Sequence, residues 1–190
     1  MGVNIFNDSI IGCKMGTDTI DAIYKGTELL YSSVPPVYKY KIKVSGGTST
    51  TGECDSTSAL TSFDIPINAR KVLEIEVGEC VSTFGIANFP NLTSLTLSDS
   101  VTTIKNNGFR YLTALTTVEI PSGVTSIGDY AFAGNSMTYI TLLPTTPPSL
   151  GNYIFYNTPI EHIYVPSESV DTYKAASGWS EYASIIEAIP

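Results

Sequence analysis

Internal repetition constrains this chain more than any other feature. The segments NLTSLTLSDSVTTIKNNGF (91–109) and ALTTVEIPSGVTSIGDYAF (114–132) align without a gap. Leu92, Leu95, Leu97, Val101, Ile104 and Phe109 map onto Leu115, Val118, Ile120, Val124, Ile127 and Phe132, each 23 residues further on. Val72, Ile75, Val77, Val81, Phe84 and Phe89 match the same positions 20 residues upstream, so the first unit is three residues short. Met137, Ile140, Leu142, Leu150 and Phe155 continue the series, and Ile160, Ile163 and Val165 begin a last partial unit. A single unit cannot bury its apolar face, so neighbours must stack, and the pattern predicts a solenoid.

The spacing gives each unit a shape. Its LxxLxL part reads as a short strand with alternate side chains inward and Thr or Ser between them. The following loop drops Val and Ile, three apart, into the interior, and an aromatic plugs the core. Gly123, Gly128 and Gly134 relieve backbone strain at the turns. A parallel β-ladder of five such units is on the order of 20–25 Å long, and both of its ends need caps. The outward strand positions stack into two columns: Glu74, Ser94, Thr117, Tyr139 and His162, then Glu76, Thr96, Glu119, Thr141 and Tyr164. Tyr139, His162 and Tyr164 form an aromatic cluster beside polar Thr, a surface suited to a sugar ring or a protein loop. The competing reading is that threonine and tyrosine simply favour exposed sheet.

Composition narrows the function classes. Ten Lys+Arg against eighteen Asp+Glu give a net charge of −8, which argues against a nucleic-acid partner. The acid is concentrated after residue 50, where five basic residues face fourteen acidic ones. No apolar run of about 18 residues exists to span a membrane. Cys13, Cys54 and Cys80 are odd in number and lack CxxC spacing, and the chain has one histidine. Three reduced thiols and no metal site are the expectation, although GEC at 52–54 and again at 78–80 brings Cys54 and Cys80 together if those segments stack. Before Lys14 there is no basic residue and no apolar stretch, so a secretory signal is not expected.

IPSGVTSIGDYAFAG (120–134), flanked by L-x-x-V-x-I, resembles the BspA-type leucine-rich repeat, a bacterial surface and adhesion repeat. TTPPSLGNYIFYNTPIEHIYVPSESVDTYKAASGWSEYASIIEAI (145–189) is similar to that family's usual C-terminal cap. The resemblance covers roughly residues 70–189. It implies a leucine-rich-repeat solenoid, a short capping helix begun by Ser167, Trp179 sealing the last turn, and a role as adhesin or binder. No catalysis follows from it. The short first unit, with GECVSTFGIANFP, departs from the family pattern.

Residues 1–34 stand outside the repeat. CKMGTDTI (13–20) and IYKGTELLY (23–31) each place Gly-Thr between β-prone runs, which predicts two consecutive hairpin turns. VPPV (34–37) is a stiff hinge. In VYKYKIKV (37–44), Lys39, Lys41 and Lys43 face one way, and Tyr38, Tyr40, Ile42 and Val44 the other. The lysines suit a solvated sheet edge that discourages pairing, or a contact with an acidic partner. The domain reading is therefore a small β module at 1–34, a hinge, strand and N-terminal cap at 35–69, repeats at 70–166 and a C-terminal cap at 167–190. The phrase I-x-x-I-Y-x-G-T-x-L-x-Y (20–31) is similar to short segments of phage tail, baseplate and fibre proteins.

Chemistry is hard to find in this chain. His162 sits in EHIYV on a strand face, and no GxSxG, GxGxxG or P-loop pattern occurs. A glycan depolymerase needs two carboxylates across a cleft, whereas Glu74 and Glu76 read as the outer edge of a flat sheet. The expectation is a non-enzymatic phage virion protein, a head or tail fibre or decoration, with no cofactor. Its repeats contact a host-surface protein or glycan through Glu74, Glu76, Thr96, Thr117, Glu119, Tyr139, Thr141, His162 and Tyr164. Residues 1–34 hold other virion proteins or a second copy, because two short hairpins are marginal alone. The alternatives are a BspA-like bacterial cell-surface adhesin and, behind it, a phage glycan depolymerase.

Overall fold

The structure, a computed structural model, describes residues 12–15, 20–25, 28–32, 38–45, 49–53, 59–61 and 68–190. The chain divides into two compact units, Met1–Pro36 and Val37–Pro190. In the first, β1 (Gly12–Met15), β2 (Ile20–Lys25) and β3 (Glu28–Ser32) pair antiparallel in that order. Lys25 faces Glu28, so Gly26 and Thr27 alone separate two paired strands, as the Gly-Thr spacing predicts. The VPPV segment lies outside the described residues, as does Cys54.

The second unit contains β4 (Tyr38–Val44), β5 (Ser49–Glu53), β6 (Ala59–Thr61), β7 (Val72–Val77), β8 (Thr83–Gly85) and β9 (Ser94–Thr96). It continues with β10 (Thr103–Ile104), β11 (Glu119–Ile120), β12 (Ser126–Ile127), β13 (Tyr139–Leu142), β14 (Ser149–Leu150) and β15 (His162–Val165). Helix α1 (Val170–Ala175) and β16 (Ile186–Ala188) complete it. The LxxLxL segments build two sheets, β5-β4-β7-β9 and β11-β13-β15-β16, in which β7 with β9 and all strands of the second are parallel. The segments expected to be loops form a further parallel sheet, β6-β8-β10-β12-β14. Their spacing hides it, because only two or three residues per unit join the ladder. Phe84, Ile104, Ile127 and Leu150 occupy one register position there.

Strand β4 corrects the edge reading of its lysines. It lies between β5 and β7, antiparallel to both, and Lys41 and Lys43 face Glu76 and Glu74 across the ladder. Lys43 Nζ is 2.7 Å from Glu74 Oε1 and Lys41 Nζ 3.3 Å from Glu76 Oε1. Alternation set the side of the strand on which each lysine stands but carried no information about its neighbour. The expectation of three reduced thiols is corrected too, because Cys80 is disulfide-bonded. Odd cysteine counts exclude complete pairing, not a single bridge.

The core is the stacked repeat interior. Leu92, Leu112, Phe109, Phe132, Ile120, Leu142 and Val165 have no exposed surface. Rings form a continuous file from Phe84 through Phe109, Phe132 and Phe155 to Tyr182, with centroids 4.7–5.4 Å apart. Here the alignment of Phe89 with Phe109 fails. The Ile86 amide donates to the Gly108 carbonyl just as the Phe109 amide donates to that of Ala131, so Ile86 is the backbone equivalent of Phe109. The three missing residues of the first unit thus fall directly after β8, and the Phe84 ring fills the file instead.

The end of the chain matches the expected helix with one shift. Ser167–Ser169 is a 3-10 turn, α1 begins only at Val170, and Ser169 occupies its N-cap position without a side-chain bond. The Ser167 hydroxyl is 3.3 Å from Glu168 Oε2. Pro166 stands at the N-cap position of that 3-10 turn, with φ −52° and ψ 137°. Trp179 is buried and donates Nε1–H to the Pro148 carbonyl at 2.7 Å, while Tyr173 donates its hydroxyl to the Pro144 carbonyl at 2.8 Å. Their rings meet edge to face, 5.1 Å apart.

Candidate functional site: the outward sheet face

Parallel pairing carries the outward columns across neighbouring units, but not without a break. In β7 and β9, Glu74 pairs with Ser94 and Glu76 with Thr96. In the other sheet, Tyr139 pairs with His162, Thr141 with Tyr164 and Glu119 with Thr141. β9 and β11 do not pair, so eight of the nine candidate residues fall into two groups. Thr117 belongs to neither, since it precedes β11 and is half-buried outside any strand. An opening of about 230 Å³ marks the break, lined by Leu95, Thr96, Leu97, Asp99, Glu119, Pro121 and Leu143.

The first group is electrostatically matched. Lys41, Lys43, Glu74, Glu76, Ser94 and Thr96 line a shallow open depression of about 340 Å³, where the flat-sheet reading anticipated none. All four charged side chains are about half exposed, so each pair contributes little, up to about 1 kcal/mol. Their effect is to tie each carboxylate to an ammonium group, which opposes the acid–base pairing that glycoside cleavage needs.

The second group is aromatic. The imidazole of His162 and the Tyr164 ring are parallel, with an interplanar angle of 1° and centroids 5.7 Å apart. Tyr139 meets Tyr164 edge-on at 5.9 Å and is 39% exposed. His162 Nδ1 makes no hydrogen bond but lies 3.4 Å from Glu187 Oε1, an ion pair whenever the imidazole is protonated. Glu187 was missed in the sequence because it stands on β16, beyond the last repeat. The alternation of IIEAI was the available signal. The arrangement presents three rings and a carboxylate on adjacent strands, able to stack against a flat ligand and to hydrogen-bond its rim.

A second aromatic cluster lies on the segments that follow the β10–β12–β14 ladder. Tyr130 stacks on Tyr153 at 5.3 Å and meets Tyr156 edge-on at 6.1 Å. The Arg110 guanidinium is 4.7 Å from the Tyr111 ring centre and 5.8 Å from that of Tyr130. Tyr130 and Tyr153 are one repeat apart, and that shared position was the signal that could have found them. Among the described residues, no group of three His, Cys, Asp or Glu side chains is placed to hold a metal ion, and no helix is long and apolar enough to cross a membrane.

A family model described as BspA-type leucine-rich repeat region matches residues 79–177 in six copies. No curated protein matches the chain.

Proposed function

Because the chain belongs to the BspA-type leucine-rich repeat family, we propose that its repeats form a non-enzymatic adhesion solenoid whose outward face contacts a host-surface protein or glycan. The observation that carries this reading is the Tyr139–Tyr164–His162 cluster, three partly exposed rings on two neighbouring strands with Tyr164 against both of the others. Tyrosine brings large contact area at low conformational entropy, the property that enriches it at binding centres. The lysine-paired Glu74 and Glu76 support a binding role over hydrolysis. Helix α1 with Trp179 acts as the C-terminal cap.

The finer reading is a phage virion protein, a fibre or decoration. Its support is the similarity of residues 20–31 to phage tail segments and the separate Met1–Pro36 unit. In this reading residues 1–34 hold a partner, either a second copy or another virion protein. A BspA-like bacterial cell-surface protein is the alternative, and the two differ in whether the chain is found in purified particles or on cell envelopes.

The test is binding of the labelled full chain to intact bacteria, to protease-treated cells and to periodate-oxidised cells. Retention on cells that falls at least tenfold in Tyr139→Ala/Tyr164→Ala supports the reading, and the treatment that removes it tells protein from glycan. Equal retention of that variant and the wild type sinks the assignment of this face.

A further inference from the structure

Seven positions in the repeats have a left-handed backbone, at two equivalent sites per unit. One site holds Asn107, Tyr130 and Tyr153 with φ of 60°, 54° and 56°. The other holds Asn88, Tyr111, Gly134 and Asn157 with φ of 64°, 58°, 71° and 54°. Glycine and asparagine enter this region with least strain, and the chain uses them at four of the seven. At the remaining three it places tyrosine, for which the conformation is unfavourable. A bulky residue held where asparagine serves the backbone better points to a use for the ring.

The rings are on display. Tyr153 is 64% exposed and Tyr156 63%, with Tyr130 half-buried between them and in contact with both. One face of Tyr153 lies against Tyr130, so its exposure includes the other face. Apart from Ile189, the exposed large apolar side chains among the described residues are all tyrosines. No large aliphatic side chain is exposed beside these rings. The patch offers instead phenolic hydroxyls next in sequence to the exposed amides of Asn152 and Asn157. The C–H face of a pyranose complements the electron-rich face of such a ring, and its hydroxyls complement the amides. A net charge of −8 selects against sulfated or carboxylated sugars.

We propose that Tyr130, Tyr153 and Tyr156 form a ledge that binds neutral hexopyranose glycans. The ledge shares no residue with the outward sheet face and stands independently of the function proposed for that face.

The experiment is affinity electrophoresis of the full chain in gels containing a soluble glucan, mannan or galactan, with a sulfated polysaccharide as the anionic control. The ledge predicts retardation by at least one neutral polymer and none by the sulfated one. Tyr153→Asn/Tyr156→Ala should weaken retardation at least tenfold. Tyr153→Asn copies Asn107, so its Tm should stay equal or rise by up to about 4 °C. Tyr139→Ala/Tyr164→Ala should leave retardation intact. The proposal is overturned by an absence of retardation in every neutral gel, by undiminished retardation of the ledge variant, or by a fall in Tm that accompanies the lost binding. It is equally overturned if only the sheet-face variant loses the sugar, or if the ledge variant instead dissociates an oligomer. Sheet-face binding to cells can fail while retardation persists, so the two readings fail separately.

Discussion

The Leu112 amide donates a 2.7 Å hydrogen bond to the side-chain oxygen of Asn135, which lies 23 residues further along and is only 4% exposed. The same asparagine donates Nδ2–H to the carbonyls of Phe109 at 2.8 Å and Phe132 at 2.9 Å. One buried amide therefore satisfies backbone groups of two units where no strand ladder reaches. Asn135→Leu should leave the Leu112 amide and the Phe109 carbonyl without this partner and cost about 2–3 kcal/mol. Urea denaturation should show a lowered midpoint at unchanged slope. A loss below about 0.5 kcal/mol would mean that water replaces the side chain.

Gly134 should not tolerate a methyl group. Its φ is +71°, and a Cβ there would sit 2.5 Å from Tyr111 Cδ1, because that ring lies across the glycine. Gly134→Ala combines backbone strain of about 1–2 kcal/mol with displacement of the ring. A calorimetric scan should show a fall of several degrees. Tyr111→Ala in the same background should recover part of it, and an absence of recovery would leave backbone strain as the sole cause.

Stability should decline at alkaline pH. Burial holds the Tyr173 phenol well above the ordinary tyrosine value of 10.0, and burial with the nearby Glu181 carboxylate raises Tyr182. Both folded values exceed the unfolded one, so their contribution is complete below pH 10 and is lost as pH climbs beyond it. Tyr173→Phe should flatten that decline in a chemical-denaturation series from pH 8 to pH 11. At neutral pH it should be less stable by about 1 kcal/mol, through the lost bond to Pro144.

Cys80 is disulfide-bonded, and its partner is Cys13 or Cys54, whose side chains lie outside the described residues. The sheet register favours Cys54. Tyr40 faces Gly52 on one side and Val77 on the other, so β5 and β7 both end on the same side of the sheet, just before Cys54 and Cys80 respectively. Non-reducing digestion should yield a peptide joining Cys54 to Cys80, with Cys13 free to alkylate. Reduction should cost about 2–4 kcal/mol. A peptide joining Cys13 to Cys80 would refute the pairing.

The interior was legible in the sequence because burial repeats at a fixed interval: Leu92 and Leu115, or Ile104 and Ile127, announce each other. Two-residue strands such as β10 and β12 were not, since period-2 alternation needs a longer run to show. The Lys43–Glu74 and Lys41–Glu76 pairs depend on how β4 docks, which no local pattern encodes. Among the nine outward candidates, Tyr139, His162 and Tyr164 were found by repeat arithmetic and do meet. Thr117 was misplaced because that arithmetic assumes an unbroken ladder. Tyr130 and Tyr153 escaped notice because left-handed backbone normally signals itself through glycine or asparagine.

The middle units meet their neighbours through the same bonds at the same interval: Gly128 donates to Ile104 and Gly151 to Ile127, Phe109 to Ala131 and Phe132 to Ile154. Such a joint is indifferent to how many times it recurs. An in-frame duplication of one middle unit would reproduce both of its own boundaries and leave the terminal elements intact. The length of the repeat stack, and the number of rings it displays, can therefore change in a single genetic step without any new packing problem to solve.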